Sequence, residues 1–172
     1  MALTLSIQIC DESHLPSLNQ FVIDAKHSIE DRYFETAFQE QQDKKRLIFL
    51  AFSDAVLVGY AHLNFFPQYT PFLRMGIPEI QDIVVHPDHR RQGIGEQLIK
   101  ACEAEARSRS ITDIGIGVGV TGTFGAAQRL YVRLGYMPDG TGAVFDRTPV
   151  STGEFRPVDN RLCLMLVKNI SD

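Results

Sequence analysis

Apolar and polar residues alternate from Leu3 to Ile9, a period of two that predicts a half-buried strand. Beyond Asp11, a residue suited to capping a helix, the apolar positions fall at Leu15, Leu18, Phe21 and Val22, one face of a helix. A second helix is predicted from about Ile29 to Gln42 and carries Glu30, Asp31, Glu35 and Glu40. Two apolar runs, Arg46 to Phe52 and Val56 to Leu63, flank a short turn at Ser53-Asp54 and read as paired strands. Phe65 to Pro78, rich in aromatics and proline, reads as a loop. Glu79 to Val85 is a strand ended by His86-Pro87-Asp88, and a helix-like run extends from Glu96 to about Ser108. A glycine-rich strand follows from Ile111 to Val120. A helix from Gly125 to Leu134 is stopped by Gly135 with Pro138 soon after. A polar connection with Gly140, Gly142 and Pro149 leads to a last strand from Arg161 to Val167, with room for one more strand near Val144. The order β-α-α-β-β-β-α-β-α-β is mixed α/β, with a largely antiparallel sheet flanked by helices.

Bulk properties narrow the function classes. A chain of 172 residues suits one domain spanning 1–172, and 44% hydrophobic with 22% charged residues is ordinary for a globular protein. A net charge of −4 offers no general footprint for nucleic acid or an anionic membrane, and no apolar run is long enough to span a bilayer. The N-terminal segment lacks a basic start and reads as a strand, not as a signal peptide. Cys10, Cys102 and Cys163 are scattered and odd in number, as expected of reduced thiols in a cytoplasmic protein. His86 and His89 lack the partners of a metal site, so no metal is expected. A homodimer is left open.

The densest chemistry lies at Arg90-Arg91-Gln92-Gly93-Ile94-Gly95, between the apolar run Ile83-Val84-Val85 and a helix start. Backbone N–H groups at a helix start have no partner within the helix, and the helix dipole favours negative charge there. Two arginines add donors suited to phosphate oxygens. A second glycine pattern, Gly117-Val118-Gly119-Val120-Thr121-Gly122, matches a dinucleotide-binding fingerprint, with Asp139 at about the right distance. Gly115, Gly117 and Gly119 alternate, however, which places them on one face of a strand, where another group approaches closely.

These residues resemble the GNAT superfamily of N-acetyltransferases. One family signature, Arg/Gln-x-x-Gly-x-Gly/Ala after a strand, is met by Arg90-x-x-Gly93-x-Gly95. The other, Ala-x-x-Leu-Tyr-x-x-x-Gly-Tyr/Phe, is met from Ala127 to Tyr136. The resemblance covers Glu79 to Tyr136 and departs at Phe124, where many members carry asparagine. It implies a central mixed, largely antiparallel sheet, acetyl-CoA as donor and an amine acceptor, small molecule or peptide. Backbone N–H groups of Gln92, Gly93, Ile94 and Gly95, helped by Arg90 and Arg91, would then hold the pyrophosphate. Ile83, Val84 and Val85 would offer a strand edge to the pantetheine amides.

An alkylamine has a pKa of about 10.4 and needs a base at neutral pH. The resemblance assigns Glu79 to that role. Asp82 is the alternative, three residues on and so facing the other side of the strand. Tyr131 would donate a hydrogen bond to the leaving sulfur. A phenol of pKa about 10 lies above a thiol of about 8.5, so full proton transfer is uphill by roughly 2 kcal/mol. The acidic second helix either attracts a cationic acceptor or is a solvated face, and Phe65, Phe66, Tyr69 and Phe72 either wall an acceptor pocket or pack as core. Two rival readings stand beside the enzyme: a non-catalytic acyl-CoA-binding regulatory module and a dinucleotide-binding oxidoreductase.

Overall fold

The computed structural model describes residues 4–171, so Leu3, expected to open the first strand, lies outside the described residues. The chain runs β1 (Leu5–Ile9), α1 (Leu15–Asp24), α2 (Tyr33–Gln42), β2 (Arg46–Ser53), β3 (Val56–Asn64), α3 (Thr70–Met75) and β4 (Glu79–Val85). It continues through α4 (Ile94–Ser108), β5 (Asp113–Gly119), α5 (Gly125–Arg133), β6 (Met137–Phe145), β7 (Thr148–Pro149) and β8 (Leu162–Asn169). The class is mixed α/β and the strand pairings are mostly antiparallel. The chain packs as two compact units, residues up to 64 with 81–105, and residues 65–80 with those from 106 onward. No helix among the described residues is long and apolar enough to cross a membrane.

In the first unit the strand order is β1-β2-β3-β4. β1 and β2 pair antiparallel from Leu5 opposite Ser53 to Ile9 opposite Phe49. β2 and β3 form a hairpin whose turn residues, Asp54 and Ala55, both have positive φ (+47° and +69°), as tight two-residue hairpins require. Asp11 caps the approach to α1. Its carboxylate accepts from the Ser13 N–H (2.9 Å) and its own N–H donates to His14 Nδ1 (3.0 Å). α1 and α2 bury Leu18, Phe21, Val22, Phe34 and Ala37 against Ile48, Leu50 and Tyr60. α2 begins at Tyr33, four residues later than its polarity pattern suggests, because Arg32 sits at φ +55° and breaks any helix before it. α4 buries Ile94, Leu98, Ile99 and Cys102. A side chain at Gly59 would meet the Val84 carbonyl oxygen at 2.8 Å, which is why β3 carries a glycine in its interior.

In the second unit the order is β4-β5-β8-β6-β7. β4 and β5 are parallel at Glu79 opposite Gly115 and Ile80 opposite Ile116. β5 and β8 are antiparallel from Asp113 opposite Asn169 to Gly119 opposite Cys163. The strand expected near Val144 is β6, longer than the pattern shows because its register against β8 shifts between Pro138 and Ala143, where Gly140 and Gly142 have positive φ. The segment from Phe65 to Pro78 is not all loop. It contains α3, with Pro71 in its first turn and Gly76 ending it at φ +67°, a helix of 6 residues that is too short to show a period. Tyr69 and Phe72 are buried with Ile77, Val144 and Met165, so these aromatics are core, while Phe66 is 61% exposed.

The glycines of β5 are seats for larger groups. A Cβ at Gly115 would stand 2.1 Å from the Phe72 ring, and one at Gly119 would stand 2.4 Å from the Phe124 ring. At Gly117 the nearest atom is the Met165 sulfur, at 3.2 Å. Gly117 and Gly119 therefore lie inside the strand and are filled by side chains, and Asp139 accepts a hydrogen bond from the Tyr69 hydroxyl at 2.7 Å. The dinucleotide reading has no loop to rest on.

Gly115→Ala and Gly119→Ala each force a ring to move and are expected to destabilise by about 1–3 kcal/mol in denaturant unfolding. Gly117→Ala meets only a flexible thioether and should cost less. A larger loss at Gly117 than at Gly115 would contradict this packing.

Candidate functional site

β4 leads straight into the basic turn. The His86 N–H donates to the Val58 carbonyl of β3 (2.9 Å), and a short 3-10 turn at Pro87–His89 follows. Arg90 folds back so that its Nε donates to the Val85 carbonyl (3.3 Å). Arg91 and Gly93 both take left-handed backbone, at φ +63° and +80°. A Cβ at Gly93 would meet nothing within 4 Å, so the glycine serves the backbone conformation and not a close packing contact. The Gln97 N–H donates to the Gly93 carbonyl (3.0 Å), and the N–H groups of Ile94, Gly95 and Glu96 precede that bond, as the first donors of a helix do. Arg90, Arg91, Gln92 and Gly93 are exposed. A twice-reversed backbone, a helix start and two exposed guanidinium groups make this turn the candidate cradle for an anion. Within the first unit β4 is the terminal strand, so one edge of Ile83, Val84 and Val85 is not used by that unit's own ladder.

Asp82 departs from strand geometry, at φ +51°. Side-chain alternation does not carry through it, so spacing alone does not set which side it faces. Its carboxylate accepts a hydrogen bond from the Tyr33 hydroxyl. Behind this pair lies His62, wholly buried. Arg46 Nη1 donates to His62 Nδ1 (2.9 Å), which puts the imidazole proton on Nε2, a buried atom with no hydrogen-bond partner. Arg46 is itself ion-paired with Glu40 at 2.5 Å. Tyr33, Phe34 and Tyr60 pack their rings around the imidazole. Burial pushes His62 down to about 4, against the pull of the Asp82 carboxylate and with help from the Arg46 charge. Burial also raises the Tyr33 and Tyr60 phenols, with the Asp82 charge adding to both.

In the second unit Glu79 is 1% exposed and its Oε1 accepts from Arg147 Nη1, an ion pair joining β4 to the turn between β6 and β7. The Arg147 side chain is 36% exposed. Tyr131, in α5, is 8% exposed, and burial lifts its phenol to about 12. Its ring lies 6.3 Å from that of Tyr136. Phe124, standing where many members of the resembled family carry asparagine, fills the space over Gly119 with its ring. Arg147, His62 and Tyr60 were not singled out in the sequence. Arg147 meets Glu79 across 68 positions, and no local pattern marks such a pair. Among the described residues no group of His, Cys, Asp and Glu is placed to hold a metal ion.

The family model described as Acetyltransferase (GNAT) family matches residues 15–136. Among solved structures the chain is similar to yncA from Salmonella typhimurium with its cofactor acetyl-CoA, at 16% identity over 98% of this chain and 95% of that one, TM-score 0.70. It is similar to a ribosomal-protein-alanine N-acetyltransferase from Brucella melitensis, at 18% identity over 95% and 99%, TM-score 0.71. It is also similar to an N-acetyltransferase from Staphylococcus aureus, at 14% identity over 98% and 99%, TM-score 0.70. No sequence among the curated proteins matches the chain.

Neutral buried His62 makes stability depend on pH. An unfolded histidine takes a proton below about 6.5, whereas the folded one stays neutral to about 4. The unfolded state thus binds more protons in that window, and stability falls as pH drops through it, by up to about 3 kcal/mol. Denaturant unfolding at pH 7.5, 6 and 5 should show a steeper decline for the wild type than for His62→Gln. Parallel curves would refute the buried neutral imidazole.

Proposed function

We propose that this chain, which belongs to the acetyltransferase (GNAT) family, transfers an acetyl group from acetyl-CoA directly to the nitrogen of a primary amine. The observation that carries this reading furthest is the turn at residues 90–95, where Arg91 and Gly93 take left-handed backbone immediately before the start of α4. The residues fit the group: the backbone N–H groups of Gln92, Gly93, Ile94 and Gly95 would hold the pyrophosphate, with Arg90 and Arg91 supplying charge. The edge of Ile83, Val84 and Val85 would take the pantetheine amides as a strand takes a peptide. Bound there, acetyl-CoA supplies an acetyl thioester whose acyl carbon exchanges sulfur for nitrogen.

Glu79 is the base in this proposal. It accepts the proton that the acceptor ammonium must lose, directly or through water, and Arg147 holds its carboxylate in place. Tyr131 acts as a hydrogen-bond donor to the departing sulfur. With the phenol at about 12 and a thiol near 8.5, giving up its proton fully is uphill by roughly 5 kcal/mol, so Tyr131 stays an O–H throughout. The membership and the fold-level likeness support the reaction class; the residue roles rest on the motif match and on the geometry within each unit.

Two measurements test it. Calorimetry with acetyl-CoA should give saturable binding to the wild type and at least about tenfold weaker binding to Gly93→Val, since a branched residue at φ +80° is strained by about 1–2 kcal/mol. Equal affinity would remove the turn from the donor site. Tyr131→Phe should lower kcat about ten- to hundredfold with cofactor affinity within twofold. Full turnover would show the phenol to be dispensable.

A further inference from the structure

The first unit holds a second, unassigned feature, a cavity of about 410 Å³ lined by His27, Ser28, Ile29, Glu30, Tyr33, Tyr60 and Asp82. That volume suits a small organic ligand. Its lining contains two carboxylates and no lysine or arginine. The nearby Arg46 charge is engaged by Glu40 and His62, and His62, held near 4, is neutral at physiological pH. Two phenol rings complete the wall, and aromatic faces attract cations. The independent observation is Tyr60. Its side chain is fully buried, it lines the cavity, and its hydroxyl has no hydrogen-bond partner. An unpaired buried hydroxyl is costly, and a ligand bearing an N–H donor would satisfy it.

We infer that this cavity binds an ammonium group of the acceptor, and that it is not the nitrogen that becomes acetylated. Two carboxylates and two rings favour the charged form of any amine they surround. An amine held as ammonium has no lone pair and cannot attack a thioester. The group seated at Glu30, Asp82, Tyr33 and Tyr60 is therefore a second cationic nitrogen, which orients the acceptor while a different, deprotonated nitrogen reacts. The substrate class is an amine with at least two basic nitrogens, either a free diamine or polyamine, or a peptide with a basic side chain. This rests on the acetyltransferase reading for its chemistry, but the cavity's affinity for an ammonium does not.

The test has a binding arm and a turnover arm. In calorimetry without acetyl-CoA, 1,4-diaminobutane should bind the wild type at least about tenfold more tightly than butylamine. Glu30→Gln and Asp82→Asn should each weaken it about tenfold. Tyr60→Phe should weaken diamine binding while leaving unfolding stability equal or higher, an opposition that a purely structural tyrosine would not produce. No preference for the diamine, or unchanged affinity in all three variants, would overturn the inference. In CoA-release assays the diamine and a lysine-containing dipeptide are each compared with an uncharged partner of the same length. The member with the greater kcat/KM advantage identifies the source of the cation, and no advantage for either would overturn the inference. Diamine binding intact with no CoA release from any amine would contradict the transferase reading and leave the cavity's ligand class supported.

Discussion

The left-handed backbone at Asp82 is the constraint around which the candidate chemistry is arranged. A non-glycine residue at φ +51° inside a strand costs energy, on the order of 1–3 kcal/mol, and persists only where surrounding bonds hold it. Here the Tyr33 hydroxyl holds the Asp82 carboxylate, and Tyr33 is in turn packed against Phe34 and His62. The break divides β4. Before it, Glu79 and Ile80 pair in parallel with β5, and Glu79 is sealed from water against Arg147. After it, Ile83, Val84 and Val85 run beside β3 into the basic turn. One strand thus begins at a buried carboxylate and leads into the basic turn at its other end.

The cradle depends on conformation more than on space. Gly59, Gly115 and Gly119 are glycines because a neighbour occupies the place of a Cβ, whereas Gly93 has open space around it and a φ that L side chains avoid. Arg91, also left-handed, accepts that strain and places its guanidinium in solvent beside the helix start. An anion at this helix start would meet backbone donors already fixed in place. Preorganised donors are worth more than mobile ones, because no ordering is required when the ligand arrives.

What was legible in the sequence was whatever repeats along it. The hairpin of β2 and β3, the helix faces at Leu18 and Val22, and the strand–turn–helix around residues 90–95 all carry a period or a turn signal, and the structure places them within a few residues of expectation. The alternating glycines of β5 were legible for the same reason, and Phe72, Met165 and Phe124 are the groups that approach them. Features with no local signature were missed. α3 is shorter than two turns, and β6 is interrupted by two left-handed glycines. The pairing of Glu79 with Arg147, and the pocket that gathers Glu30, Tyr60 and Asp82, join positions dozens of residues apart. Asp82 marks a different limit: alternation presumes a regular strand, and this residue is the irregularity.

The two carboxylates of β4 differ in what surrounds them. Glu79 is buried and ion-paired with Arg147, so its charge is compensated inside the fold. Arg147 is partly exposed, so its guanidinium keeps contact with water while it serves a buried partner. Asp82 is exposed, accepts a hydrogen bond from the Tyr33 hydroxyl and lines a cavity together with Glu30. Three residues apart on one strand, the first carboxylate is enclosed with a cation and the second stays at the surface, and the break in strand geometry falls at the second.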